Sequence, residues 1–270
     1  MNSNFIVFNN TRLNYYTCGK GSPLLLLHGF AENNSVWVNQ IDFLKEHFFI
    51  IAPDLFGSGI SEPLEGKDIT LETYATAIRA IIQKENISKF HFFGHSMGGY
   101  IAMAYLEKFS ADLLSLGLIH STSFADDDAK KDTRRKAMSF ILKNGSRAFL
   151  ETSLPGLFHD PVFHRNTIDA LLKQANNILP ATLVQYYEAM LNRSDKSHLL
   201  TKTTIPLLFI AGKHDLAVPV LQTLKQSHLP PVSSICLLKN SGHMGMFEES
   251  DRINIIFAEF LTAVNKYFRL

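Results

Sequence analysis

The stretch Gly94-His95-Ser96-Met97-Gly98-Gly99 constrains this chain more than any other. It follows Phe90-His91-Phe92-Phe93, a short apolar run that reads as a buried strand, and precedes Tyr100–Leu106, which reads as a helix. A Gly-x-Ser-x-Gly at such a junction makes the chain reverse within a few residues. The serine then sits in strained backbone and its neighbours must be small. A Cβ at Gly94 or Gly98 would collide with the adjacent strand or helix.

Around this junction the chain alternates. Phe5–Phe8 and Leu13–Thr17 flank Asn9-Asn10 and read as a hairpin. Pro23–Leu27 is a continuous apolar run, as in strands buried on both faces, Phe48–Ala52 reads as another buried strand, and Leu114–Ile119, Leu207–Ile210 and Ser234–Leu238 read as further strands. Helical patterns fall at 35–47 (Val36, Ile41, Phe43, Leu44), at 71–85 and at about 250–267. Strands alternating with helices predict an α/β fold, a parallel sheet covered by helices on both faces. The stretch 122–202 breaks the rhythm with no strand and helical patterns at 128–143, 146–153, 162–176 and 181–192. Pro161 and Pro180 suit helix starts, while Gly145 and Gly156 punctuate. We therefore expect a core of 1–121 and 203–270 with 122–202 inserted as a helical cap, and Asp126-Asp127-Asp128 as a solvated helix entrance.

With 26 basic and 25 acidic residues, nothing in the charge calls for nucleic acid or a membrane surface, and a small-molecule partner is expected. The 11 histidines form no His-x-His or Cys-x-x-Cys cluster that would organise a metal site. No apolar run reaches the length of a membrane span. The first residues lack a basic n-region and a long apolar h-region, so the cytoplasm is the expected location.

A serine hydroxyl is a weak nucleophile and needs a base, and the base needs an orienting group. In this architecture both belong after later strands, in the order Ser, acid, His. Asp215 follows the strand at 207–211, and His243 follows the strand at 234–238. Singly, Asp215 also reads as a turn residue and His243 as a loop histidine. An oxyanion hole needs two backbone N–H groups, for which Met97 and Phe30 are the candidates. His28 and Asp54 read as structural. His95 is expected to point into the sheet. His120 ends its strand without an acid, which favours Asp215 as the carboxylate. Trp37, Phe124, Tyr186, Tyr187 and Met246 are candidate pocket residues, although aromatic stripes also belong in cores.

These residues resemble the α/β-hydrolase fold superfamily across essentially the whole chain. The resemblance rests on His28-Gly29-Phe30, Pro53–Ser61, Gly94–Gly99, Gly212–Asp215 with Pro219, and Gly242-His243; Arg193-Ser194-Asp195 is similar to cap-end sequences of small bacterial hydrolases. It implies an eight-stranded, mostly parallel sheet of order 1-2-4-3-5-6-7-8, a cap after the sixth strand, and no metal or organic cofactor. The expected activity is a serine hydrolase of small to medium carboxylic esters, with Ser96, His243 and Asp215 as triad. A carbon–carbon bond hydrolase, a thioesterase or a perhydrolase is an alternative. A slow-turnover ligand receptor on the same fold is a reading from another class.

Overall fold

The structure, a computed structural model, describes residues 1–66 and 68–268. Eight strands form one sheet: β1 (Asn2–Phe8), β2 (Thr11–Cys18), β3 (Ser22–Leu27), β4 (Phe48–Pro53), β5 (Phe90–His95), β6 (Leu113–Ile119), β7 (Leu207–Gly212) and β8 (Ser233–Leu238). Their order is β1-β2-β4-β3-β5-β6-β7-β8. β2 runs antiparallel to β1 and β4, and every other pairing is parallel. The fold class is the one the alternation of strands and helices predicts, and the strand order is the one the family resemblance implies. Asn9 and Asn10 both have positive φ, which the tight turn between β1 and β2 requires.

The period-two rule explains how the sheet is covered. Leu25 and Leu27 enter one buried cluster, and Leu24 and Leu26 enter the other. The first cluster includes α2 (Leu71–Lys84) and α3 (Met97–Phe109). The second includes α1 (Val38–Leu44), which follows a 3-10 turn at Asn34–Trp37, and the closing helix Ser250–Phe268. Phe43, expected on the buried face of its helix, is instead exposed.

The cap helices come after β6: α4 (Asp128–Ser153), α5 (Arg165–Ala175), α6 (Pro180–Leu191) and the single turn α7 (Ser197–Leu200). Gly145, at φ 87° and ψ 164°, breaks α4 where the sequence separates two helical patterns. Short helices α8 (Val220–Ser227) and α9 (Gly245–Glu248) precede the closing helix, which is α10. These short elements and α7 carry too little periodicity to be read from sequence. Ile141, Leu150, Leu183, Tyr186 and Met190 of the cap share one apolar cluster with α2 and α3. Lys196 adds ion pairs to Glu72 (3.0 Å) and Glu107 (2.6 Å).

The acidic run departs from expectation. Asp127 caps α4 by accepting the Lys130 N–H, and Asp128 is exposed. Asp126 is buried instead, because Arg134 and Arg193 converge on its carboxylate. No described helix is long and apolar enough to cross a membrane.

Candidate active site

Ser96 lies between β5 and α3 at φ 50° and ψ −114°, a conformation that non-glycine residues rarely adopt. Its N–H donates to the Ile119 carbonyl (2.9 Å), and Ser121 Oγ donates to its carbonyl (2.7 Å). A Cβ at Gly94 would stand 2.3 Å from the Gly98 carbonyl carbon, and one at Gly98 would stand 2.5 Å from the Leu27 oxygen. Both obstacles are backbone, so no side-chain movement relieves them. The strand–serine–helix junction therefore requires glycine at both places.

Asp215 follows β7 and is almost wholly buried. Its Oδ1 accepts the Ala217 and Val218 N–H groups, both at 2.8 Å. Its Oδ2 lies 2.8 Å from His243 Nδ1 and 3.1 Å from His120 Nδ1. Burial alone would raise its pKa. The His243 charge and the two imidazole hydrogen bonds outweigh that and hold the carboxyl well below the usual range. The acid that His120 faces is thus Asp215 itself. Burial pushes the His120 pKa down to about 4. Its Nε2 is buried without a partner, so a neutral ring donating from Nδ1 satisfies the arrangement.

His95 is the opposite case. Its Nδ1 lies 3.0 Å from Glu32 Oε2, and its Nε2 lies 3.0 Å from the His243 carbonyl oxygen. Two acceptors at two ring nitrogens call for a proton on each, hence an imidazolium. Burial opposes this, but the Glu32 charge and hydrogen bond and the His243 carbonyl prevail and raise the pKa. Glu32 shifts down for the reciprocal reason, against its own burial. The same Glu32 oxygen accepts the Gly29 N–H (2.6 Å). One buried ion pair therefore ties the loop after β3, the elbow strand and the loop that carries His243. His28 binds within its own loop at Gly29 and accepts the Leu55 N–H, while Asp54 holds Asn34, which keeps both in structural roles.

Ser96, His243, Phe30, Tyr187, Lys130 and Arg134 line one cavity of about 190 Å³. Among the described residues, Ser96 Oγ donates to no protein acceptor, and neither do the Phe30 and Met97 N–H groups. Met97 is the first residue of α3, where the N–H groups have no intrahelical partner. Two unused backbone donors next to an unused hydroxyl fit the approach of a carbonyl oxygen.

Of the expected pocket residues, Tyr187 alone reaches this wall, stacked on Phe30 at 4.3 Å. Burial pushes the Tyr187 pKa up to about 12, so its hydroxyl stays neutral. Trp37 and Met246 are fully buried in the cluster on the other face of the sheet. Tyr186 is fully buried and donates to the Phe56 carbonyl (2.7 Å), bracing the cap on the core. Phe124 is half-buried and lies off the cavity wall. Large rings are drawn first to cores, which is the other reading these residues carried. Sequence reasoning missed Glu32, Lys130 and Arg134. The spacing of Lys130 and Arg134, one helical turn, is a signal that could have found them.

Three groups with metal-ligand chemistry, His120, Asp215 and His243, have donor atoms within 4.8 Å of one another. Asp215 Oδ2 is hydrogen-bonded to both imidazoles, so the protons that hold the cluster occupy the directions a cation would need. The donor set fits a proton-transfer pair better than a metal centre.

Comparison with known proteins gives a consistent assignment. Residues 22–250 match the sequence profile described as alpha/beta hydrolase fold. The chain is 25% identical over 267 residues to a provisionally named carbamate hydrolase, RutD, of Acinetobacter baylyi, covering 93% of this chain and 97% of that one. It is 26% identical over 233 residues to Lipase 3 of Moraxella sp., covering 84% of this chain and 73% of the lipase. A thermophilic esterase from Thermogutta terrifontis superposes with a TM-score of 0.90 at 26% identity, covering 98% of this chain and 99% of the esterase. The profile spans most of the chain, and the sheet order and elbow agree with it: the chain belongs to the α/β-hydrolase fold family.

Proposed function

We propose that the chain is a serine hydrolase of small to medium carboxylic esters. The carrying observation is the buried Asp215–His243 pair on the cavity that holds Ser96, with the Phe30 and Met97 N–H groups unused beside it. Ser96 Oγ attacks the ester carbonyl while His243 Nε2 takes its proton. Asp215 keeps the other proton on Nδ1 and stabilises the imidazolium. The Phe30 and Met97 N–H groups hold the tetrahedral oxyanion. His243 then protonates the leaving alcohol, and water activated by the same ring releases the acyl group. The Ser96–His243 contact forms with substrate in place, as catalytic hydrogen bonds often do. The cavity of about 190 Å³ lies below the ~300–1,000 Å³ of pockets that enclose drug-sized ligands, which favours a short acyl or alcohol group. The esterase and lipase among its relatives support the same reading.

Fluorophosphonate labelling read by intact mass and peptide mapping tests this. One adduct on Ser96, lost in Ser96→Ala together with at least about 10⁴-fold of p-nitrophenyl ester turnover, is the expected result. Full turnover by Ser96→Ala would overturn the assignment. Thioesters and carbon–carbon substrates assayed alongside separate the alternatives.

A further inference from the structure

Lys130 is a cation on the cavity wall with no ion-pair partner among the described residues, although the charges of Asp126 and Asp215 act on it from farther away. It sits in the first turn of α4, and its Nζ donates to the Ala217 carbonyl (2.7 Å). It forms no ion pair with any described residue. An ammonium has three N–H donors, so two remain for a ligand or water. Arg134, one turn further along the same helix, lines the same cavity.

The charges around this wall do not balance. Arg134 is bound to Asp126 through Nε (2.5 Å), and Arg193 binds the other oxygen of the same carboxylate (2.8 Å). One carboxylate thus serves two guanidinium groups, and Lys130 adds a third cation. The carboxylates on the sheet side are committed elsewhere. Glu32 holds His95 and the Gly29 N–H, and Asp215 holds two backbone N–H groups and two imidazoles. Burial and the Arg134 charge lower the Lys130 pKa against the opposing charges of Asp126 and Asp215, and an anion in contact with it would relieve that penalty. Lys130, Thr133, Tyr100 and Ala217 also border an outer groove of about 350 Å³, which Asp126, Asp127 and Arg193 line as well. Lys130 therefore borders both the cavity that holds Ser96 and the outer groove.

We propose that Lys130 binds a free carboxylate on the substrate, so that the preferred esters are half-esters of small dicarboxylic acids. This rests on the serine-hydrolase reading for the reacting end of the molecule. Lys130, backed by Arg134, holds the free carboxylate and leaves the ester carbonyl to reach Ser96. A neutral ester of the same length leaves the Lys130 donors to water.

Calorimetric titration of the Ser96→Ala protein with monomethyl glutarate and with dimethyl glutarate reads this without turnover. The monoester is expected to bind at least about tenfold more tightly than the diester. In the same background, Lys130→Met is expected to bring the two affinities within about twofold, whereas Lys130→Arg retains the preference. Thermal unfolding of both variants identifies one that has not folded, and Lys130→Glu, expected to reverse the preference, then replaces it. Equal affinities, tighter binding of the diester, no detectable monoester binding, or a preference unchanged in Lys130→Met would overturn the proposal. Failure of the hydrolase reading shows separately, as absent fluorophosphonate labelling of the wild-type protein, and leaves the binding ratio readable.

Discussion

The sheet side of the cavity fixes its charges with backbone and short side chains, whereas the cap side fixes them with long ones. On the sheet side, Asp215 is held by two N–H groups of its own loop and two imidazoles, and Glu32 by a loop N–H and His95. Each acceptor has its donors at the end of a strand or in the loop that follows one. On the cap side, Arg134, Arg193 and Asp126 come from helix α4 and the segments before it and after α6, and their charges do not cancel. A backbone-held carboxylate has little freedom to move, which suits proton transfer. A cationic wall with unused donors suits choice among substrates. The chemistry is therefore expected to depend on the sheet side, and the selection of substrate on the cap side.

That division can be broken by substitution. The largest effect is expected from Asp215→Asn, which preserves shape but favours the wrong His243 tautomer. Ester kcat should fall by about 10³–10⁴-fold with the fold retained. A fall below tenfold would remove Asp215 from the proposed chemistry. Next, Asp126→Ala leaves two buried guanidinium groups without a counter-ion, which costs about 3–5 kcal/mol of stability. Urea denaturation measures the loss. If Asp126→Ala reduced kcat on a neutral ester as steeply as Asp215→Asn, the two walls would not be separable.

The smallest effect concerns Glu32→Gln, expected to cost roughly 1–3 kcal/mol by weakening the support of His95. Its pH dependence carries the information. The Glu32 pKa is lowered in the folded protein, so its contribution is present above the ordinary 4.5 and is lost as pH falls through the folded value. The His95 pKa is raised, so its contribution is present below the ordinary 6.5 and is lost as pH rises through the folded value. Both are present between 4.5 and 6.5. The stability gap between wild type and Glu32→Gln should therefore peak in that interval and narrow on either side. A gap independent of pH from 4 to 9 in urea titrations would mean that the pair is not ionic, on the approximate scale of ordinary carboxyl and imidazole titration.

Local pattern made the fold readable. Apolar runs bounded by turn residues located the inner strands β3 to β7, which are buried on both faces and have little room for polar side chains, and the Asn9-Asn10 turn located β1 and β2; β8, read as a strand too, is largely exposed. The elbow was readable because its glycines are demanded by backbone contacts only a few residues or one strand away. Asp215 and His243 could be named because a short loop after a strand reaches the sheet edge in very few ways.

Tertiary packing decided the rest. Asp126 looked solvated in its acidic run, yet Arg193 returns from 67 residues away to cover it. Trp37 and Met246 looked available for a pocket, and the sheet buries them on its other face. His95 and His120 are alike in sequence, each at a strand end. One is doubly engaged beside Glu32, and the other is singly engaged with a buried bare nitrogen. A charge state depends on every acceptor and every layer of burial around the ring. Those neighbours come from segments far apart in the chain, so sequence alone determined the sheet, the elbow and the order of the candidate residues. The folded chain alone decided their protonation and left Lys130 on the cavity wall without an ion pair.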